Sequence, residues 1–403
     1  MTETTPGSRL PRNVWVLTLV SFLTDVSSEM VSNLLPIFLA GVLGARTGVI
    51  GLIEGVAETT ASLLKVISGE LSDRLGRRKP LVVLGYAVST AAKPFLYLAS
   101  SWGWVLGVRF ADRAGKGLRT APRDALMADS VSLPRRGLAF GVQRAGDTAG
   151  AVVGIGFALI LLLTRPGGAD LDRPLFQTIV LWSLLPAGAA VIALVLGARE
   201  RGTGTPRGPG PRWTPAGLDR PFRFYLVIIT LFTLGNSSDA FLILRARAAG
   251  LSVPGVLGMM LTFNLVYAVL SGPAGALSDR LGRRRLLTAG WGVYAFVYLG
   301  FAWMRAPWQA WLLMAVYGVY YALTEGIGRA FVADLVPAEA RGTAYGVYHA
   351  AIGLAALPAS LMAGILWQGI GAWPGLGPAA PFFVGGGLAL AAAILLVRLP
   401  EAV

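Results

Sequence analysis

Of 403 residues, 55 % are hydrophobic and 14 % are charged, whereas a soluble globular chain carries about 25 % charged residues. So much apolar surface suits helices that face lipid or one another, not water. The formal charge is +14, but the basic residues lie in short stretches between long apolar runs, which fits membrane-protein loops and not a nucleic-acid surface. With no cysteine and one histidine, His349, a disulfide framework, a thiolate metal site and a histidine-rich metal centre are excluded.

The residues up to about Pro11 are polar and lack the apolar core of a signal peptide, so no cleavable leader is expected. A bilayer crossing takes about 20 mostly apolar residues. Twelve helical spans are therefore expected, near 13–39, 48–70, 81–99, 104–127, 138–163, 175–197, 222–247, 255–276, 286–304, 308–332, 343–366 and 379–398. Arginines such as Arg12, Arg74, Arg136, Arg199, Arg280 and Arg341 crowd the loops of one side. The other side offers few, among them Arg46, Arg165 and Arg305. The rich side should be cytoplasmic, with both termini there.

The stretch 198–221 is rich in Gly, Pro and Arg. It is too polar to span and reads as a flexible cytoplasmic linker. It separates a first six-helix bundle, 1–197, from a second, 222–403. The halves repeat one another. Leu71-Ser72-Asp73-Arg74-Leu75-Gly76-Arg77-Arg78-Lys79 returns as Leu277-Ser278-Asp279-Arg280-Leu281-Gly282-Arg283-Arg284-Arg285. Ala128-Asp129 returns as Ala333-Asp334, and Ser27-Ser28-Glu29 aligns with Ser237-Ser238-Asp239. A repeated set of six spans is the signature of a secondary transporter.

On these residues the chain resembles the major facilitator superfamily over nearly its whole length. The segment from Gly69 to Lys79 is similar to that family's motif A. Arg109, Gly115 and Gly117 resemble motif B of bacterial drug–proton antiporters, with Asp112 and Arg113 where those members carry Gln and Gly. The resemblance implies two pseudo-symmetric bundles around a midplane site. It also implies a gating role for Gly69, Asp73, Arg74, Gly76, Arg77, Asp129, Asp279, Arg283 and Asp334. Arg77 is expected to pair with Asp129, and Arg283 with Asp334. Asp73 is expected to face a helix N-terminus of the other half.

Charges inside spans are expensive, about 2.5–3.5 kcal/mol each at the centre of an isolated helix, and mark functional sites by default. Asp25 and Glu29 share one face of the first span, and Glu54, Glu58 and Lys65 one face of the second. With Asp112, the four acids Asp25, Glu29, Glu54 and Glu58 are the candidates for proton coupling. A structural ion pair of Glu58 with Lys65 or Lys93 is the plain alternative. The fourth span holds Arg109, Asp112, Arg113, Lys116, Arg119, Arg123 and Asp124. An (i, i+4) pair of Asp112 with Lys116 is expected. Arg119, Arg123 and Asp124 are expected to be hydrated at the cytoplasmic mouth. Arg109, Arg113 and Lys116 are candidates for binding an anionic substrate group, and Arg109 or Arg113 for tuning the protons of Asp25 or Glu29. In the second half Asn236, Asp239, Asn264, Tyr321, Glu325 and Arg329 are substrate-contact candidates, with Glu325 and Arg329 pairing.

The expected function is proton-coupled transport of a small organic solute, with export favoured. Uptake or exchange of an organic anion held by the fourth span is the alternative, and a non-transporting membrane sensor a third reading. No enzyme, metal or cofactor is expected, since no glycine-rich nucleotide fingerprint, ligand cluster or Ser/His/Asp constellation is present. The expected partners are membrane lipid, a small-molecule substrate and protons, for a monomer in the bacterial inner membrane.

Overall fold

The computed structural model describes residues 10–132, 135–165, 170–200, 220–336 and 341–399, apart from the side chains of Asp279 and residues 341–343. Twelve long helices fill these ranges. The first half consists of α1 (Arg12–Val42), α2 (Thr47–Leu75), α3 (Lys79–Ala92, prolonged by the 3₁₀ turn Lys93–Leu96), α4 (Trp102–Asp129), α5 (Arg136–Leu163) and α6 (Arg173–Gly197). The second consists of α7 (Arg220–Ala248), α8 (Val253–Leu281), α9 (Arg283–Trp303), α10 (Pro307–Asp334), α11 (Arg341–Gln368) and α12 (Ala380–Val397). All twelve expected spans fall on these helices.

Two helices are broken where the sequence disfavours the helix. In α1 the regular helix ends at Ser32, and a π-turn runs over Phe38–Val42. Pro36 has no N–H for the preceding turn. In α7 the helix stops at Gly235 and resumes at Ala240. Gly, Asn and Ser at 235–238 are poor helix formers whose side chains compete for backbone partners.

Among the described residues, nine of the twelve helices are long and apolar enough to cross a bilayer unaided. The exceptions are α2, α3 and α4. Charge dilutes the hydropathy of α2 and α4, and α3 is short. These three pack together, α4 against both α2 and α3, so their polar faces meet protein and not lipid.

In the first half α1 also packs on α5 and α6; in the second, α7 packs on α11 and α12, and α10 on α8 and α9. The halves meet through α2 with α11 and α5 with α8. In the α2–α11 seam, threonine hydroxyls of α2 reach backbone carbonyls of α11. Thr47 Oγ1 donates to the Gly364 carbonyl at 3.0 Å, and Thr59 Oγ1 to the Gly353 carbonyl at 2.6 Å. A Cβ on Gly364 would lie 2.4 Å from the Thr47 carbonyl oxygen, so this approach requires glycine.

The chain ends of the first half are tied to the turn before α3. Asn13 Nδ2 donates to Ser130 Oγ and to the Arg199 carbonyl, both at 2.9 Å. The Glu200 carboxylate accepts from the backbone N–H groups of Arg78 and Lys79 at 3.0 and 2.9 Å, a favourable place for a negative charge at a helix N-terminus. Residues 198–200 thus pack with the first half, which narrows the linker expected over 198–221. Its stretch 201–219 lies outside the described residues.

Candidate functional site

The polar centre of the first half is built on α4. A fixed pair anchors it: one Arg109 nitrogen reaches both Glu54 oxygens of α2, at 3.0 and 2.9 Å. The Arg109 side chain is buried and that of Glu54 partly so. Glu54, expected as a proton-coupling candidate, is therefore held as the partner of a buried arginine. Asp112 lies 3.9 Å from Arg109 and 4.0 Å from Arg113. The expected Asp112–Lys116 pair does not form, because the carboxylate turns back toward the guanidiniums that precede and follow it.

Arg119 and Arg123 correct a second expectation. They are packed, not hydrated. Arg119 donates to Ser89 Oγ at 2.6 Å and lies over the Tyr86 ring at 4.4 Å. Arg123 bonds Asp124 at 2.9 Å and Ser21 Oγ at 3.0 Å. Small residues allow this. A Cβ on Gly115 would lie 2.5 Å from the Gly85 carbonyl oxygen, so α3 and α4 touch and their polar side chains interleave.

On α1, Glu29 accepts from Asn33 Nδ2 at 2.9 Å. Asp25 sits where α5 comes closest, with Gly150 facing its Cβ. Asp147 of α5 and Lys116 of α4 are among its electrostatic neighbours. Lys93, buried at the end of α3, donates to Ser27 and, at 3.2 Å, to Ser28. Neither Lys65 nor Lys93 pairs with Glu58. Glu58 and Lys116 are exposed. Among the described residues the side chains of Glu58, Arg113 and Lys116 make no hydrogen bond, and none of these has an ion pair closer than the 4.0 Å contact of Arg113 with Asp112. Glu58 lies within electrostatic reach of Arg113 and Lys116 on one side and of Asp239, in the other half, on the other.

In the second half the break in α7 presents Asp239. It accepts from Tyr317 Oη at 2.8 Å and Tyr321 Oη at 3.4 Å. The freed backbone is satisfied by tyrosines as well: Tyr294 Oη donates to the Gly235 carbonyl at 2.9 Å and Tyr298 Oη to that of Ser237 at 3.3 Å. Asn236 Oδ1 accepts from Tyr294 at 3.3 Å, and Asn264 bonds the Met260 carbonyl of its own helix. Tyr317, Tyr320 and Tyr348 are buried in ring packing. Their stripe is core, and only Tyr321 is left partly exposed beside Asp239.

Glu325 pairs with Arg329 at 3.3 Å as the spacing implies. It also bonds Arg144 of α5, across the halves, at 2.7 Å, and accepts from Tyr267 Oη of α8 at 2.6 Å. Sequence reasoning does not find this link, because residues 144, 267 and 325 share no periodicity.

The gating segment shows one correction. The buried arginine of the first copy is Arg78, not Arg77: it bonds Asp129 at 2.6 Å and Asp73 at 3.0 Å, while Arg77 is exposed. In the second copy Arg283, which matches Arg77, bonds Asp334 at 2.5 Å and the Ala330 carbonyl at 3.0 Å. The reason is the turn. After Gly76, in the left-handed region at φ 62°, α3 begins only at Lys79. After Gly282, α9 begins at once, at Arg283. The shift presents a different arginine to the aspartate that ends the following long helix. Glu70 holds Arg74 at 2.5 Å on the outside, and Gly69 faces Ala121 of α4. The Asp279 side chain lies outside the described residues.

The family model described as Major Facilitator Superfamily matches residues 17–259 and 240–403. An uncharacterized MFS-type transporter of Methanocaldococcus jannaschii is 36 % identical over 397 residues, covering 96 % of this chain and 95 % of that one. An uncharacterized protein of Mycobacterium tuberculosis is 28 % identical over 378 residues, 91 % and 89 % of the two chains. Among solved structures, a mutant form of the nucleoside transporter NupG aligns with a TM-score of 0.79 at 12 % identity, covering 96 % of this chain and 100 % of that one. At that identity the likeness concerns the fold alone.

Proposed function

The chain belongs to the Major Facilitator Superfamily, and on that premise we propose that it is a proton-coupled secondary transporter of a small organic solute, working by alternating access, with export as its direction. One observation carries this reading. Most intramembrane charges among the described residues are held by fixed partners, but Asp25, Glu58, Lys65 and Lys116 have none, and Arg113 has only its 4.0 Å contact with Asp112. A charge kept inside a membrane bundle without a fixed partner serves a proton, an ion or a substrate.

In this reading Asp25, Glu29 and Glu58 exchange protons. Lys116 stands near Asp25 and Glu58. Asp239 and Tyr321 face the same space from the second half. The α2–α11 seam is the closed gate of this conformation. The Arg78 and Arg283 contacts order the opposite, cytoplasmic end, where both termini lie, and the monomer sits in the inner membrane. Export rests on the resemblance of Arg109, Gly115 and Gly117 to the antiporter motif.

A second reading has its own support. Arg113 Nε is buried without a hydrogen-bond partner, and with Lys116 it offers a site for an organic anion. One experiment tests both: proteoliposomes with a pH-sensitive dye, an imposed proton gradient, and a panel of organic cations, anions and neutral compounds. A compound that collapses the gradient in wild type but not in Glu29→Gln or Asp25→Asn supports proton coupling. Flux unchanged in both variants removes these carboxylates from the mechanism. Flux confined to anions, and lost in Arg113→Ala, supports the second reading.

A further inference from the structure

Helices α1 and α5 run side by side with their backbones nearly touching. A Cβ on Gly146 would lie 2.6 Å from Thr18 Cγ2, one on Gly150 2.4 Å from the Phe22 carbonyl oxygen, and one on Gly154 2.4 Å from that of Val26. These rungs climb both helices together, so the pair is parallel and its register is fixed. Two carboxyls enter the seam. The Asp25 Cβ is 3.1 Å from where a Cβ on Gly150 would stand. Asp147 lies between Gly146 and Gly150, level with the turn from Thr18 to Phe22. Helical side chains lean toward the N-terminus of their helix, so the Asp25 carboxyl leans back toward that level. Among the charged groups acting on Asp25, Asp147 comes first, ahead of Glu29, Lys116 and Arg123.

The cations near Asp147 are engaged elsewhere. Its charged neighbours are Arg123 and Asp124 of α4, Arg144 of its own helix and Asp25 of α1, and its hydrogen-bonding neighbour is Ser21 of α1. Arg123 bonds Asp124 at 2.9 Å and Ser21 Oγ at 3.0 Å. Arg144 bonds Glu325 across the halves at 2.7 Å, and Tyr267 as well. Their ion pairs are with Asp124 and Glu325, not with Asp147. Asp147 Oδ1 is buried with no hydrogen-bond partner, and so is Thr18 Oγ1 in the same seam. An ionised carboxylate can only accept, so a buried oxygen that meets no donor is costly. A carboxylic acid has a hydrogen to give, and Thr18 has an unused acceptor. Two carboxylates close together in a low-dielectric seam also resist ionising together.

We propose that Asp25 and Asp147 form a carboxyl pair that holds one proton between them, with Asp147 the member nearer the end where Arg12 and Arg136 begin α1 and α5. Its role rests on the proton-coupled reading. Asp25 takes the proton at the midplane, and Asp147 is the step by which that proton passes between Asp25 and the cytoplasm. The Arg144 side chain one turn earlier on α5 is 44 % exposed, so water reaches this level from the space between the halves. Asp147 is thus a proton-carrying residue, and Ser21 and Arg123 are positioning residues for it.

The test needs no solute. Purified full-length protein in detergent is followed by infrared difference spectroscopy as the pH is raised. The wild type is expected to show a carboxylic-acid carbonyl band that disappears as the pair gives up its proton. Asp147→Asn is expected to remove or move this band. Asp25→Asn is expected to move the midpoint of what remains by about one pH unit or more, the coupling that marks an interacting pair. If Asp147→Asn does not fold, Asp147→Glu carries the test: it keeps the acid and is expected to change the frequency of the band. A spectrum in which neither Asp147 variant alters any carboxylic-acid band overturns the inference, and Asp147 is then ionised, with a water between it and Thr18. A band that Asp147→Asn alters but whose midpoint ignores Asp25→Asn also overturns it, because the two acids then titrate apart. These outcomes separate the pair from the transport reading. A coupled band without any dye response in the solute panel counts against proton-coupled transport alone, and a dye response without a coupled band counts against the pair alone.

Discussion

Glu325→Ala removes the centre of a three-helix contact that ties the halves together: α5 through Arg144, α8 through Tyr267 and α10 through Glu325 itself. The Arg144 side chain is 44 % exposed and Glu325 27 %, so screening limits their ion pair to about 0.5–1 kcal/mol. The Tyr267 hydroxyl on the carboxylate adds about 1.5 kcal/mol, as hydrogen bonds to charged groups do. Arg144 also lies 4.9 Å from the Tyr267 ring centroid, a contact that survives the substitution. Losing about 2 kcal/mol from one conformation shifts a two-state population about thirtyfold. Because the chain has no cysteine, spin labels can be placed without background. Leu138→Cys on α5 and Leu281→Cys on α8, both exposed, report the separation of the halves by electron paramagnetic resonance. The expected result is a large gain in the longer-distance population with Glu325→Ala and a smaller one with Glu325→Gln, which keeps an acceptor for Tyr267. A double-mutant cycle with Arg144→Gln should return a coupling of about 1 kcal/mol. A distance distribution that shifts by less than about threefold would refute the view that this contact weights the conformational equilibrium.

Glu54→Ala should destabilise the protein by about 3–5 kcal/mol, because it strands Arg109 in a buried site; a thermal unfolding midpoint close to wild type would show that the pair is dispensable. Gly364→Val places side-chain atoms against the Thr47 carbonyl, so the α2–α11 seam should open. A cysteine at Gly48 should then become reactive to a membrane-impermeant maleimide, and unchanged reactivity would argue against the seam as a gate. Arg78→Ala should cut transport at least about tenfold by freeing Asp129 and Asp73, two charge-assisted contacts, while Arg77→Ala should stay near wild type. The reverse ranking in flux assays would restore the role the sequence gives Arg77.

The elements and the repeat are legible in the order of the residues alone. Mostly apolar stretches mark the helices, nine of the twelve described ones long and apolar enough to cross unaided, because a chain in lipid must satisfy its backbone internally and has few other ways to fold. The two copies of the Leu-Ser-Asp-Arg-Leu-Gly segment mark the halves, and residues repeated every three or four positions pair locally, as Glu325 does with Arg329. The partners of the remaining charges are set by helix packing, which residue spacing does not encode. Glu54 finds Arg109 because glycines bring α4 against its neighbours. Arg144 finds Glu325 across 181 positions because α5 meets α8 between the halves and α10 packs on α8. Arg78 replaces Arg77 because one turn restarts its helix two residues later than its repeat does. A two-residue shift rotates a side chain by more than half a helical turn, so which arginine meets the aspartate depends on where the turn restarts the helix, which the repeat does not encode.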